Sequence, residues 1–376
     1  MCTWTGQDRY AMTSTNAERV AVVGTGLIGT SIAMAAARVG CEVAGWDADT
    51  AAIAAAAARQ PMRVSDSLEG AVSGATIVVI CAPIPVIGEL ASRALAAAQD
   101  AIVTDAGSIK ELVVREVQNR AGVDARRFVG GHPMGGSERS GPEHAAASIV
   151  DGIVWALTPG AATPTGSLDR LERWVELIGA RPVRMAPERH DRLVAFVSHL
   201  PQVASTALMA LAATEEADEP EILLLAAGGF RDLTRLASSN PALWSQILLA
   251  NPTAIAEAID LYTARLSELR DQILRGEGET VRATFDQAKR ARLRLAAKPQ
   301  VRSGVAVLQV ALPDRPGALA ELALALAEAS VNIEDLQIVH SPEGGRGIVH
   351  LTVAADSVGD AGRILTGRSF DPIRLA

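Results

Sequence analysis

Along the chain the apolar positions fall into three regimes. From Arg19 to about Met185, short β-branched runs alternate with Ala-rich stretches of helical character. Val20 to Val23, Glu42 to Trp46, Ile77 to Cys81, Ala101 to Thr104, Arg127 to Val129 and Ile153 to Leu157 read as strands. Strands separated by helices in this way predict a parallel sheet covered on both faces, the α/β doubly wound arrangement. From about Pro187 to Lys298 the β signal vanishes, and long Ala, Leu and Ile segments carry a helical period, punctuated by Pro201, Pro220, Pro241 and Pro252. Beyond a basic-to-small linker near Ala297 to Gly304, Val305 to Leu312 reads as a strand and Gly317 to Ala329 as a helix. Val331 to His340 and Gly347 to Ala354 read as two further strands across a Pro-Glu-Gly-Gly turn. The expected organisation is a disordered polar leader at 1–17, a sheet domain at 18–186, an all-helical domain at 187–298 and a small α+β domain at 303–376.

Composition narrows the function. A chain of 376 residues with 49% hydrophobic content fills more than one core. A net charge of −8 argues against a general nucleic-acid or anionic-membrane surface, which needs concentrated positive charge. With no secretory-signal pattern and no uninterrupted apolar run of spanning length, the expected location is the cytoplasm. Cys2, Cys41 and Cys81 form neither a disulfide framework nor a metal-ligand spacing, so no metal site is expected.

Directly after the first strand comes Gly24-Thr25-Gly26-Leu27-Ile28-Gly29, opening an Ala-rich helix. The first glycine permits a tight turn, the second lets a pyrophosphate approach the backbone, and the third lets helix and strand pack closely. The helix start then offers free N–H groups and the positive dipole end to the anion. Asp47, at the end of the next strand, has the spacing of a ribose ligand, and no arginine follows it, which favours NAD over NADP. The plain alternatives are a structural glycine turn and an Asp47 that caps the next helix. Val79-Ile80-Cys81-Ala82-Pro83 has the character of the strand and turn that pass beneath such a cofactor.

Oxidising a carbinol by hydride transfer requires a base or acceptor for the hydroxyl proton. Of six histidines, His132 is the candidate, because Gly130-Gly131-His132-Pro133-Met134-Gly135-Gly136-Ser137-Glu138 follows a strand at the sheet edge where ligands bind. Thr104-Asp105-Ala106-Gly107-Ser108-Ile109-Lys110 lies at another strand end, with Ser108 placed either to orient the imidazole or simply to cap a helix. Arg231 and Arg235 stand four residues apart, suited to clamp a carboxylate, or else Arg235 pairs with Asp232 on the surface. His190-Asp191 and Ser198-His199-Leu200-Pro201-Gln202 interrupt an otherwise apolar helical pattern with polar groups.

In order along residues 18–298, Gly-Thr-Gly-Leu-Ile-Gly, Thr-Asp-Ala-Gly-Ser-Ile-Lys, Gly-Gly-His-Pro-Met-Gly-Gly-Ser-Glu, Ser-His-Leu-Pro and Gly-Phe-Arg-Asp-Leu-Thr-Arg resemble the prephenate/arogenate dehydrogenase family. The resemblance implies a Rossmann-type domain followed by a helical substrate and dimerisation domain, and NAD-dependent oxidation of prephenate to 4-hydroxyphenylpyruvate with loss of carbon dioxide. Arogenate, giving tyrosine directly, is the alternative substrate. It further implies that His132 acts on the ring hydroxyl with Ser108 orienting it, that Arg235 binds the ring carboxylate, and that Ser137, Glu138 and His199 line the pocket. Gln202 stands where many members carry a second histidine, and a neutral amide does not choose between the two substrates.

The terminal segment, with Leu312-Pro313-Asp314-Arg315-Pro316-Gly317-Ala318-Leu319 and Ser330-Val331-Asn332-Ile333, resembles an ACT domain of ferredoxin-like α+β type. That resemblance implies amino-acid binding near Asp314, Gly317 and Asn332, with tyrosine as the natural effector; a purely structural or dimerising role is the alternative. Two rival functions remain. A β-hydroxyacid dehydrogenase relies on a lysine in its helical domain, and none lies between Lys110 and Lys289. A non-catalytic sensor of NAD or amino acids has no need of His132, Ser108 and Arg235 together. A homodimer is expected, since an apolar helical domain of this kind buries its surface against a twin.

Overall fold

The structure, a computed structural model, describes residues 18–135, 140–296, 304–313, 315–339 and 346–375. It packs as two compact units, one from Met1–Gln202 with Ser239–Ile259 and one from Val203–Ser238 with Asp260–Ala376.

The first unit is built on eight strands: β1 (Arg19–Val23), β2 (Glu42–Trp46), β3 (Arg63–Val64), β4 (Ile77–Ile80), β5 (Ile102–Asp105), β6 (Phe128–Pro133), β7 (Val154–Pro159) and β8 (Arg181–Arg184). Their order is β3-β2-β1-β4-β5-β6-β7-β8, and every pairing among β1 to β6 is parallel. Apolar runs carry no polar alternation, yet the two-residue period of a strand still sorts them. Ala21, Val23, Val78, Ile80 and Val103 enter one layer with Ile87, Ala91 and Val117. Val20, Val22, Ile77, Val79 and Ile102 enter the other with Ile32, Leu171 and Trp174. Both faces are therefore dry, as the sequence pattern requires.

Three strands depart from expectation. β7 runs antiparallel to β6, with His132 opposite Ala156. A parallel return needs a crossover, usually a helix, and the described part of the β6–β7 link holds only 3₁₀ turns at Pro142–His144 and Ala147–Ile149. β3 and β8 carried no strand signal, because β3 has two residues, both exposed, and β8 reads Arg-Pro-Val-Arg.

Residues 187–259 do not all leave the sheet. The helix Pro187–Val194 passes through a π turn at Ala195–His199 into the helix Leu200–Glu215. Together these 29 residues have the length of a membrane span, and an 18-residue window within them has a mean hydropathy of 1.4. The face they bury carries His190, Asp191, His199 and Gln202, polar groups that mark an internal helix of a folded domain. The helix Pro241–Ala250, capped by Asn240 on the N–H groups of Ala242 and Leu243, sends Ile247 and Trp244 into the first layer of the sheet. Segments that read as one helical domain thus contribute to the core of the first unit.

In the second unit the helix Gly278–Ala296 precedes a four-stranded sheet of β9 (Val305–Pro313), β10 (Asp335–Val339), β11 (Arg346–Ala354) and β12 (Pro372–Arg374), ordered β10-β11-β9-β12 with every pair antiparallel. Helices Ala318–Glu328 and Val358–Gly367 share one core with it, through Leu308, Val310, Leu322, Leu326, Val349 and Leu365. The βαββαβ order is ferredoxin-like. Its last helix and strand were not foreseen, since Gly359, Gly362 and Gly367 weaken the helical pattern and β12 spans three residues. Leu224, Leu261, Ile273 and Phe285, on helices between 203 and 287, and Leu225, at the end of one of them, stay exposed in the single chain.

Trp174 is 2% exposed and meets the fully buried Trp155 edge to face, with centroids 6.0 Å apart. Trp174→Ala is expected to destabilise the first unit by about 3–5 kcal/mol, read as an earlier urea midpoint in far-UV circular dichroism; a midpoint equal to wild type would contradict this packing.

Candidate active site

β1 ends at Val23 and the backbone turns at Gly24 with φ +93°, the left-handed region that favours glycine. A Cβ there would lie 2.2 Å from the Cys81 carbonyl oxygen, and one on Gly29 would lie 1.9 Å from the Gly24 carbonyl oxygen. These two glycines let β1, the end of β4 and the helix Leu27–Arg38 close together. At Gly26 a Cβ would meet no protein atom within 4 Å, so the bare backbone at this helix start borders open space. Leu27 is buried in the core and Ile28 packs at its margin. Asp47, just beyond β2, is bound to the same turn: its Oδ2 accepts from Thr25 N–H at 2.6 Å and from Thr25 Oγ1 at 3.1 Å. Its Oδ1 accepts from Asp49 N–H at 2.9 Å, and it is Asp49 that caps the helix Thr50–Arg59. The capping alternative for Asp47 is thereby removed. Ala82 and Pro83 follow β4, and Pro83 begins the helix Ile84–Ala97. An open glycine backbone at a helix start, flanked by an anchored carboxylate, fits a dinucleotide's pyrophosphate and ribose.

His132 lies at the end of β6, partly open to solvent. Below it, Asp105 and Lys110 form an ion pair with no exposed side-chain surface on either partner. Asp105 Oδ1 accepts from Gly131 N–H and Oδ2 from Gly107 N–H, both at 2.9 Å, while Lys110 Nζ donates to the Gly131 carbonyl oxygen at 2.6 Å. Both hydrogen-bonding groups of Gly131 are therefore tied to one buried pair, which holds the strand end that carries His132. Burial pulls the Lys110 pKa down, opposed by the Asp105 carboxylate.

The ring of His132 has a partner of its own. Its Nδ1 lies 2.9 Å from His190 Nε2, and His190 Nδ1 lies 2.7 Å from Asp191 Oδ1. Asp191 accepts from the N–H groups of Lys110 and Glu111, each at 2.8 Å, and its own carbonyl oxygen accepts from Asn251 Nδ2 at 2.8 Å. Burial first, and then the neighbouring His190, Lys110 and His199, hold the His132 pKa well below the ordinary histidine value. At neutral pH it is an uncharged base.

The ring contacts of His132 do not include Ser108. Among the described residues no hydrogen bond joins Ser108 to His132, and Ser108 does not cap the following helix, whose N-cap is Lys110. His190 and Asp191 occupy that orienting position; their only sequence signal was polarity within an apolar helical pattern.

The remaining predicted residues are distributed as follows. His199 is buried in the π turn, edge-on to Trp244 with centroids 6.0 Å apart, and its Nδ1 has no partner among the described residues. Burial, only partly offset by Asp191, pushes its pKa down to about 4. Gln202 is buried and accepts at Oε1 from Ser239 Oγ at 3.2 Å. Arg231 and Arg235 belong to the second unit, at the end of the helix Gly228–Thr234 and the start of the 3₁₀ turn Arg235–Ser238; both are exposed. Among the described residues neither guanidinium has an ion-pair partner, so the Asp232–Arg235 pair does not form. Gly317 adopts φ +87° ahead of the helix Ala318–Glu328, and Asn332 Nδ2 donates to Glu334 Oε1 at 2.7 Å. Ser137, Glu138, Asp314 and the leader 1–17 lie outside the described residues.

Comparison with known proteins agrees with this arrangement. Residues 32–184 match the family model described as "Prephenate dehydrogenase, nucleotide-binding domain", and residues 186–287 match "Prephenate dehydrogenase, dimerization domain". The chain is 31% identical to the prephenate dehydrogenase of Bacillus subtilis (strain 168), over 90% of this chain and 93% of that enzyme. The chain belongs to the prephenate dehydrogenase family. It is also 32% identical to the cyclohexadienyl dehydrogenase of Zymomonas mobilis, over 76% of this chain and 98% of that one. Among solved structures, the prephenate dehydrogenase from A. aeolicus in complex with hydroxyphenyl propionate and NAD+ matches with a TM-score of 0.70 and 30% identity, covering 75% of this chain and all of that one. Synechocystis arogenate dehydrogenase matches with a TM-score of 0.65 and 28% identity, over 73% and 98%.

Because the folded His199 titrates near 4 and an ordinary histidine near 6.5, the unfolded chain takes up the proton first. Stability is therefore expected to fall as pH drops from 6.5 toward 4. The slope of urea midpoint against pH in this window should be shallower in His199→Phe, and an unchanged slope would reject the assignment.

Proposed function

We propose that this chain is an NAD-dependent prephenate dehydrogenase, converting prephenate into 4-hydroxyphenylpyruvate and carbon dioxide in the formation of tyrosine. The observation that carries this reading is the neutral imidazole of His132 at the carboxyl edge of the sheet, the edge that also bears the open Gly26 backbone and Asp47. Parallel strands place their carboxyl ends on one side, so a cofactor and a base share that edge.

Gly24, Gly26 and Gly29 would hold the pyrophosphate, Asp47 would accept from ribose hydroxyls and repel a 2′-phosphate, and Ala82 and Pro83 would pass beneath. When bound, NAD supplies the acceptor for the hydride that leaves the ring carbon bearing the hydroxyl. His132 takes the hydroxyl proton as the carbonyl forms. The carbon–carbon bond to the ring carboxylate then breaks, its electron pair aromatises the ring, and the proton returns from His132 to the phenol oxygen. Arg235, with Arg231, is assigned to the ring carboxylate through charge-assisted hydrogen bonds, and Ser108, His199, Gln202, Ser137 and Glu138 to the rest of the substrate. Arogenate is the second substrate reading: the amide of Gln202 donates or accepts equally well and so does not choose between the two, and the likeness to Synechocystis arogenate dehydrogenase favours it.

Functionally, the chain is read as an NAD-binding domain at 18–186, a substrate and dimerisation domain at 187–298 and an ACT-like regulatory domain at 303–376. The exposed apolar side chains at Leu224, Leu225, Leu261, Ile273 and Phe285 support a homodimer, and the ferredoxin-like topology supports an effector site for tyrosine near Gly317, Asn332 and Asp314. A cytoplasmic location accords with a biosynthetic role.

Purified protein is expected to form NADH from prephenate plus NAD. His132→Asn should lower kcat by about 100- to 10,000-fold with little change in the KM for NAD, and Arg235→Ala should raise the KM for prephenate by at least about 10-fold. Absence of NADH with both prephenate and arogenate would sink the assignment. Saturating tyrosine should lower the rate or raise the thermal midpoint; a molecule indifferent to tyrosine, or one sedimenting as a single chain, overturns the corresponding part.

A further inference from the structure

The hydrogen-bonded series His132–His190–Asp191 has a direction that can be read from its far end, and the inference rests on the function proposed above. Asp191 accepts at Oδ1 from Lys110 N–H and at Oδ2 from Glu111 N–H. Backbone N–H groups only donate, so the carboxylate is used wholly as an acceptor at the start of the helix Glu111–Ala121, where negative charge is favoured. The hydrogen in the 2.7 Å contact between Asp191 and His190 therefore resides on His190 Nδ1. An uncharged His190 then presents a lone pair at Nε2, and the 2.9 Å contact to His132 needs a hydrogen on His132 Nδ1. That leaves the other ring nitrogen of His132 bare.

We propose that His190 and Asp191 are positioning residues that hold His132 in the Nδ1–H tautomer, so that Nε2 is the atom which takes the proton of the substrate hydroxyl. Neither residue touches substrate in this scheme; each acts through the ring ahead of it. The anchoring is rigid because Asp191 is tied on three sides, through its two oxygens to Lys110 and Glu111 and through its carbonyl to Asn251. Lys110 serves both ends, its N–H holding Asp191 and its ammonium holding Gly131, next to His132. When His132 is transiently protonated, the same series lets the Asp191 carboxylate stabilise the cation without itself becoming protonated. The opposite polarity, a doubly protonated His190 donating to His132 Nδ1, places the His132 proton on Nε2 and removes the acceptor. Among the described residues, Lys110 and His199 are further titratable groups that act on the His132 ring.

The tautomer is read directly by long-range ¹H–¹⁵N correlation spectra of the full-length wild-type protein labelled with ¹⁵N-histidine near neutral pH, assigned with His132→Asn and His190→Gln. Both His132 and His190 are expected to carry hydrogen on Nδ1 alone; an Nε2–H form of His132, or a doubly protonated His190, overturns the proposal. Kinetically, Asp191→Asn and His190→Leu should each lower kcat by about 100-fold or more with the KM for NAD within about twofold of wild type. His190→Gln, whose amide oxygen still accepts from Nδ1–H, should recover activity to within about 10-fold of wild type. Values of kcat within about threefold of wild type in both Asp191→Asn and His190→Leu also overturn it. If wild type turns over neither prephenate nor arogenate, the function is wrong while the imidazole spectra still decide the tautomer.

Discussion

A lysine ammonium and an aspartate carboxylate with no exposed surface are expensive to bury, and they persist only when each saturates the other. In this protein the pair Lys110–Asp105 does that, and the rest of the site hangs on it. Asp105 comes from the end of β5 and Lys110 from the start of the next helix, and between them they bind both backbone groups of Gly131 in β6. Removing one partner leaves an uncompensated charge, a loss of about 3–5 kcal/mol. The position of His132 thus follows from an electrostatic constraint two residues deep in the sheet edge.

The same edge collects everything else that the chemistry uses within the first unit. β1 delivers the glycine turn, β2 delivers Asp47, β5 delivers Asp105 and β6 delivers His132, because parallel strands end on one side of the sheet. Thr25 links the first two through its N–H and hydroxyl on Asp47. The helix Pro187–Val194 brings His190 and Asp191 to the same edge from outside the sheet, with Asn251 securing the Asp191 backbone. A base, its orienting partners and a nucleotide cradle arise from one topological fact. The antiparallel β7 does not disturb it, since β7 joins beyond β6 and contributes no residue to the cradle.

Legibility in the sequence followed locality. Gly24, Gly26, Gly29 and Asp47 were readable because turn geometry and strand spacing are local, and the structure gathers them at one turn. His132 was readable as a histidine at a strand end. Its orientation was not: Ser108 was the nearest polar side chain by motif, whereas the ring partner, His190, lies 58 residues further on. Lys110 is one of three lysines in the chain, but its pairing with Asp105 and Gly131 depends on how β5, β6 and a helix start meet. The antiparallel sense of β7 was hidden for a related reason, because an apolar run does not state its direction.

By itself, then, the amino-acid sequence determined the doubly wound sheet, the glycine turn, the helical character of 187–296 and the presence of a small α+β domain near the carboxyl end. These follow from period, turn chemistry and burial, which act over a few residues. Tertiary structure alone decided that Asp49 rather than Asp47 caps a helix, that 187–202 and 239–259 pack with the sheet unit, and that His132 is held by His190 and Asp191. Those outcomes depend on buried donors and acceptors finding partners far along the chain, and only the packed fold brings such partners within hydrogen-bonding distance.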